Sequence, residues 1–371
     1  MKLLILSSST GGGHDMRAYA LRDWALKKGY IAEVFHPLER TSGIYKFGTK
    51  LYNWIQRRAP WSHSLYFKFL EHANLHRRTT TLLGKKKFIS FLKKFKPNLI
   101  VSVHAHLNHA YLDLSKQQFP KCKFVIYCGE LANGDGYSRH WINYKADLFT
   151  GPFETTCKTA IEKGMPKSKV KSSGLLLREA FYRNDNFTTE KKEAILSSMG
   201  INPTESFITL GTGANSSNNH LEIINALQLT SLDLKFKQIV ALCGENEDLR
   251  NKLSSLQMNR KFKIIATPKT GAKEIASLFS NTACLLTRPG AGMCAEALAC
   301  GTNVVFNLCG GIMPQETNNL NYWKSRNAEP IIIRSPNEFP SSLERICTPI
   351  NVVLPSEPPL LKMIERIGNA E

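Results

Sequence analysis

The short apolar run Met1–Leu6 passes directly into Ser7-Ser8-Ser9-Thr10-Gly11-Gly12-Gly13-His14, and from there into Asp15–Leu26, where Ala and Leu recur at helical spacing. No other stretch narrows the possible folds as much. It predicts strand, glycine turn and helix from residue 2 onward, the opening of a β-α unit. Successive glycines let a backbone turn tightly and approach a ligand closely. The helix that follows offers free N–H groups and a positive dipole end to an anion. His14 falls at the helix start, where an imidazole can give or take a proton near neutral pH. Taken alone, the same residues also fit an ordinary β-α turn with a surface histidine.

The pattern repeats along the chain. Tyr30–Phe35, Pro97–His104, Cys122–Cys128 and Asp147–Pro152 read as strands, the last followed by a helix from about Thr155 to Lys163. Ser206–Leu210, Lys237–Gly244, Lys263–Ala266, Thr282–Thr287 and Asn303–Asn307 continue the series. Strands alternating with helices predict an α/β fold of doubly wound parallel sheets, whose ligands bind at the carboxyl ends of the strands. The first turn, His104, Glu130 and the loop carrying Trp141 all fall at such ends and are expected to converge. A second glycine turn, Gly211-Thr212-Gly213, follows the strand at 206–210. Arg288-Pro289-Gly290-Ala291-Gly292 leads into the helix Met293–Cys300, a unit that aims backbone N–H groups at an anion. Glu296 lies one turn into that helix, where its carboxylate could accept from two ribose hydroxyls or simply sit near the positive dipole end. A length of 371 residues suggests two domains. They are expected at 1–172 and 173–345, with a linker loop at Arg183–Asn186 and a tail at 346–371.

The chain carries a net charge of +19, which implies an acidic partner. Most of that charge lies between residues 40 and 96. Arg40, Lys46, Lys50, Arg57, Arg58, Lys68, Arg77, Arg78, Lys85, Lys86, Lys87, Lys93, Lys94 and Lys96 stand there against one acid, Glu71. Aromatics such as Trp54 and Trp61 are interleaved. Such a segment suits an anionic bilayer, with aromatics at headgroup level. Phosphate contact and base stacking on a nucleic acid, or a solvated face over an aromatic core, are the other readings. No nucleic-acid motif supports the second, so a nucleic-acid partner is not expected. The N-terminus does not read as a signal peptide, and no apolar run reaches membrane-span length. Nine scattered cysteines without a CxxC read as reduced thiols. The expected location is cytoplasmic, peripheral on the membrane face.

Together these residues resemble the two-domain GT-B glycosyltransferases. More narrowly, the chain is similar to the monogalactosyldiacylglycerol synthase and processive diacylglycerol glucosyltransferase family, relatives of the MurG-type cell-wall N-acetylglucosaminyltransferase. The motifs are Ser9–His14, Tyr45-Lys46, Ala59-Pro60-Trp61, Val101–His104, Gly174–Arg178, Arg288–Gly301 and Gln315-Glu316-Thr317-Asn318-Asn319. The resemblance implies two Rossmann-like domains facing a cleft, with a last helix returning to the first. Glu296 then corresponds to the ribose ligand, Arg288, Gly290, Ala291 and Gly292 to the pyrophosphate loop, and Gly211 and Gly213 to the facing turn. Gln315, Glu316 and Asn319 correspond to donor-sugar contacts. His14 is the implied catalytic residue with Glu130 second, beside Gly12, Gly13, His104 and Trp141. The membrane-binding residues are expected among Trp54, Arg57, Arg58, Trp61 and Lys85–Lys87. Asp15 stands where a basic residue is common in the family, Met293 where Thr is usual, Arg288 where Lys is usual, and the proline of the crossover is absent at Leu176.

The implied reaction transfers a hexose from a UDP-sugar, bound by the second domain, to a lipid such as diacylglycerol, with inversion. No Asp-x-Asp motif occurs, which fits a metal-independent enzyme, and no cofactor beyond the UDP-sugar co-substrate is expected. A polyprenyl-linked acceptor, a UDP-sugar epimerase of the same fold, and a non-catalytic membrane-binding protein are the alternatives.

Overall fold

The computed structural model describes all residues except 11, 59–66, 69–70, 73, 75, 183–187, 212–218, 257–260, 347 and 369–371; of residues 53 and 55–58 it describes the backbone alone. The expected linker loop at Arg183–Asn186 lies outside the described residues. The chain forms two compact units. The first comprises Met1–Glu179, Met313–Tyr322 and Glu357–Glu371; the second comprises Ala180–Ile312 and Trp323–Ser356.

The first unit holds a six-stranded sheet of β1 (Lys2–Leu6), β2 (Ile31–Phe35), β3 (Leu99–Ser102), β4 (Lys123–Tyr127), β5 (Leu148–Gly151) and β6 (Val170–Ser172). Their order is β2-β1-β3-β4-β5-β6, and every pairing is parallel. β3 and β5 are buried along their whole length and β1 from Leu3 onward, as the continuous apolar runs require of strands covered on both faces. The winding reverses between β1 and β3, so this is the switch point where such sheets bind ligands. Residues past β6 stay on this unit. Tyr127 Oη donates to the Gly174 carbonyl at 3.2 Å and accepts from Leu176 N at 3.0 Å, while Trp24 Nε1 donates to the Leu177 carbonyl at 3.0 Å. The amphipathic helix Pro359–Gly368 buries Leu360, Leu361 and Ile364 in the same unit.

The second unit holds β7 (Phe207–Leu210), β8 (Gln238–Leu242), β9 (Lys263–Thr267), β10 (Cys284–Thr287), β11 (Val304–Asn307) and β12 (Ile331–Ile333), in the order β12-β11-β10-β7-β8-β9. This is the strand order of dinucleotide-binding folds, again all parallel, with its switch point between β7 and β10.

The basic segment divides in two. In the helix Lys85–Phe95, Phe88 and Leu92 are buried, while Phe91 and Phe95 pack on the core of the first unit. Lys85, Lys86, Lys87, Lys93 and Lys94 are exposed. The aromatics of this helix therefore face inward, contrary to a membrane role for them, because the sheet claims their apolar area. The helix Gly43–Arg58 differs. Tyr45 is buried, but Ile44, Phe47 and Trp54 are 70%, 66% and 56% exposed. The side chains of Arg57 and Arg58, and all of Trp61, lie outside the described residues. Among the described residues no helix is long and apolar enough to cross a membrane, and eight cysteines are free thiols.

Candidate functional site

A cavity of about 390 Å³ opens in the first unit at the carboxyl ends of β1, β3 and β4. Thr10, His14, His104, Glu130 and Trp141 line it, joined by Gln315. The convergence expected of His14, His104, Glu130 and Trp141 is thus realised by the topology: β1, β3 and β4 are consecutive in the sheet, so the turns leaving them meet. The opposite wall is apolar, built from Ile44, Phe47, Leu51 and Tyr52 of one helix with Leu38 and Leu83.

His14 begins the helix Gly13–Lys27 behind Gly12, whose φ of 76° is left-handed and favours glycine. His14 Nδ1 lies 2.7 Å from the Val103 carbonyl. A carbonyl only accepts, so Nδ1 carries the proton and Nε2 keeps a lone pair. Burial first, and the Arg17 cation second, lower the His14 pKa to about 4, so the ring is neutral at physiological pH. His104 has the other tautomer. Its Nδ1 accepts from His106 N at 3.3 Å, which puts the proton on Nε2, 3.0 Å from Thr10 Oγ1. The two rings meet edge to face, with centroids 4.4 Å apart. Glu130 is buried, and burial raises its pKa to about 7 against the pull of Arg17 and of the Asn318 amide, 3.5 Å away. The site therefore holds a neutral imidazole and a carboxyl group poised near neutrality.

The glycine turn itself is not furnished for a phosphate. Ser7 Oγ and His36 Nε2 lie 2.7 and 2.9 Å from Asp15 Oδ1, and Glu39 Oε1 accepts from Ser8 Oγ at 2.8 Å and Ser9 N at 2.9 Å. Burial opposes the charge on Asp15, but the bonds from His36 and Ser7 carry its pKa below the ordinary value. Two carboxylates thus hold donors that an incoming anion would need, and their charge would repel it. Gly12 and Gly13 shape the turn without lining the cavity.

Gln315 Nε2 donates to Tyr52 Oη at 3.0 Å. Glu316 is buried, and its carboxylate accepts from Met313 N at 2.9 Å at the start of its helix, Pro314–Ser325. Asn319 Oδ1 accepts from Leu131 N at 3.4 Å. Glycine is required at 136 to admit this segment, since a Cβ there would stand 1.9 Å from the Pro314 carbonyl oxygen. Of the three, Gln315 reaches the cavity.

The second unit presents a different end. β7 and β10 are adjacent, with Leu210 opposite Leu286, so Gly211 and Arg288–Gly290 emerge side by side. Gly290 caps the helix Ala291–Cys300, and among the described residues nothing lies within 4 Å of a Cβ placed on it. Arg288 Nη2 donates to the Gly311 carbonyl at 2.9 Å. Met293 Cε would stand 2.9 Å from a Cβ on Gly211, so the methionine fills the notch beside the turn. Ala291 and Gly292 form the first turn of the helix; Glu296, in its second, is 5% exposed. Gly213 lies outside the described residues.

Among the cavity residues that sequence reasoning missed are Tyr52, His76 and His106, with the buried Arg17 behind them. His106, two residues past His104, and Arg17, on the inward face of the first helix, were legible as positions but not as neighbours. His76, His106 and His140 extend the imidazole array, with His76 and His140 centroids 5.5 and 4.6 Å from His106. Burial and mutual repulsion lower the pKa of His76 to about 4 and that of His106 well below its ordinary value. Among the described residues no group of three or more His, Cys, Asp or Glu could hold a metal ion.

Residues 18–176 match the sequence model of monogalactosyldiacylglycerol (MGDG) synthase. The chain is 26% identical over 365 residues to the probable monogalactosyldiacylglycerol synthase 2, chloroplastic, of Oryza sativa subsp. indica, covering 92% of this chain and 73% of the rice protein. Its fold is that of Acinetobacter baumannii MurG, with a TM-score of 0.57, 14% identity, and 98% and 99% of the two chains covered. Methanocaldococcus jannaschii UDP-GlcNAc 2-epimerase, solved with UDP-GlcNAc and UDP, shares the same fold, with a TM-score of 0.54, 16% identity, and 99% and 100% covered. The expected GT-B architecture is therefore the observed one.

Proposed function

We propose that this chain, which is similar to the MGDG synthases, is an inverting glycosyltransferase that moves a hexose from a UDP-sugar to a membrane lipid, with diacylglycerol as the acceptor. The observation that carries the reading is His14. It is a neutral imidazole whose Nδ1 proton is committed to Val103, leaving the Nε2 lone pair beside a cavity with one apolar wall. An alcohol on an apolar tail suits that cavity. Nε2 takes the hydroxyl proton as the oxygen attacks the anomeric carbon, and the bond from that carbon to UDP breaks. The leaving diphosphate is stabilised at Gly290–Gly292 by the helix N-terminus and by Arg288, the functional equivalent of an oxyanion hole. Glu130, titrating near neutrality, serves as the second proton-handling group. Gln315 and Glu316 are the donor-sugar contacts of this reading, and Glu296 its ribose contact.

The first unit is also the membrane-facing one in this reading. Ile44, Phe47 and Trp54 recur at helical spacing on one exposed face, flanked by exposed Lys46 and Lys50 and by Lys85–Lys87. Two of the three apolar residues, Ile44 and Phe47, also line the cavity. The protein is then peripheral on the cytoplasmic face of a membrane. The test is to incubate it with radiolabelled UDP-galactose, UDP-glucose or UDP-N-acetylglucosamine and liposomes containing diacylglycerol. Label in the organic phase is expected. A free epimerised nucleotide sugar, or no turnover with any donor, would overturn the proposal.

A further inference from the structure

We infer that Arg17 is a positioning residue: its buried guanidinium clamps the turn after β1 to the turn after β4 and so fixes His14 and Glu130 relative to each other. The inference rests on reading those two as the proton-handling pair.

Arg17 is 4% exposed. Its Nη2 donates to the Gly129 carbonyl at 3.1 Å and its Nη1 to the Gly13 carbonyl at 3.4 Å. Among the described residues no carboxylate oxygen lies within ion-pairing distance of it. A buried cation with only carbonyl partners is expensive, by several kcal/mol per ion, and an apolar side chain of the same reach would pack here without that cost. The position is built for the guanidinium nonetheless. A Cβ on Gly129 would stand 2.2 Å from Arg17 Cζ, so the guanidinium in this position packs directly on the glycine backbone of the turn after β4.

The topology explains what the clamp supplies. β1 and β4 are not neighbours, because β3 lies between them. No sheet ladder ties the ends of β1 and β4 together, yet one carries His14 and the other Glu130. Arg17 joins the residue before His14 to the residue before Glu130. Its charge also acts on both groups, opposing protonation of His14 and favouring ionisation of Glu130. The other groups around His14 are Asp15 on its own helix, which favours the charged ring, and His104 and His106 from the end of β3. Around Glu130 they are Cys128 and Tyr137 on its own loop and Asn318 from the facing helix.

The test compares Arg17→Met and Arg17→Lys with the full-length protein, using hexosyl transfer across pH and NMR titration of labelled His14 and Glu130. In Arg17→Met, kcat should fall about 100-fold, the scale of a misplaced reacting group, with KM for the UDP-sugar nearly unchanged. His14 and Glu130 should both titrate at higher pH, and the acid limb of the rate profile should move with His14. Arg17→Lys, which keeps the charge but not the fork, should leave the titrations near wild type and still lose kcat. Wild-type titrations in folded Arg17→Met would overturn the clamp. If that variant does not fold, full kcat in Arg17→Lys would overturn it instead. Shifted titrations in a protein that transfers no hexose would sink the proposed function and leave the clamp standing.

Discussion

The two switch points invite comparison. Both lie where a six-stranded parallel sheet reverses its winding, and both are followed by a glycine turn and a helix. Their chemistry is opposite. In the first unit, Asp15 and Glu39 occupy donors of the turn, and buried neutral imidazoles surround the cavity. In the second, the helix begins at Gly290, where no described residue lies within 4 Å of a Cβ, with Arg288 just before it. One site is arranged to handle a proton beside an apolar ligand, the other to hold an anion. Topology locates a ligand site; the side chains around the turn decide which ligand it takes.

That contrast predicts a graded series. The largest effect is expected from His14→Ala, which should lower kcat by about 10²- to 10⁴-fold, the usual scale of lost acid-base catalysis. Single-turnover assays would measure it, and a loss below threefold would break the assignment. Next is Glu130→Gln. It should reduce transfer while raising Tm above pH 7, because burial raises the carboxyl's pKa to about 7 and ionising it there costs stability. Calorimetry at pH 8 showing a lower Tm would contradict this.

Acid should weaken the first unit more than the second. His14, His76, His104, His106 and His109 are all held neutral in the fold, with pKa values of about 4 for His14 and His76 and about 3 for His109, whereas His220 is the one histidine so depressed in the second unit. Each binds a proton near pH 6.5 when unfolded and only well below that when folded. Their contribution is therefore complete above about pH 6.5 and lost as pH falls toward 4. Hydrogen exchange at pH 7 and pH 5 should show protection lost first around β1, β3 and β4. The smallest effect concerns the surface. Replacing Lys85, Lys86 and Lys87 with Glu should weaken binding to anionic vesicles by about 1 kcal/mol per residue removed, and the loss should shrink in high salt. Unchanged sedimentation with vesicles would make that helix merely a solvated face.

Much of this was legible in the sequence. Ten of the twelve strands announce themselves as apolar runs between glycine or polar turns. β6 and β12 do not, because each is a three-residue edge strand: β6 holds a single apolar residue, and β12, though all isoleucine, is too short to stand out as a strand. The cavity residues His14, His104, Glu130 and Trp141 could be grouped because each follows a strand, and strand ends share one edge of the sheet. Arg17 and the array of His76, His106 and His140 could not, since their contacts depend on which loops the sheet order brings together. Between the readings left open for the aromatics of residues 85–95, the structure favours the aromatic core. A basic, aromatic composition does not say which face of a helix meets the core, and here Phe88, Phe91 and Phe95 face it.

The division of labour is tested most directly by UDP titration calorimetry on two variants. Among the described residues nothing lies within 4 Å of a Cβ at Gly290, and the backbone there is extended, so the fold should tolerate Gly290→Val. Gly290→Val should lose UDP binding, while His14→Ala should bind UDP as the wild type does. Loss of UDP binding in His14→Ala with full binding in Gly290→Val would contradict the account.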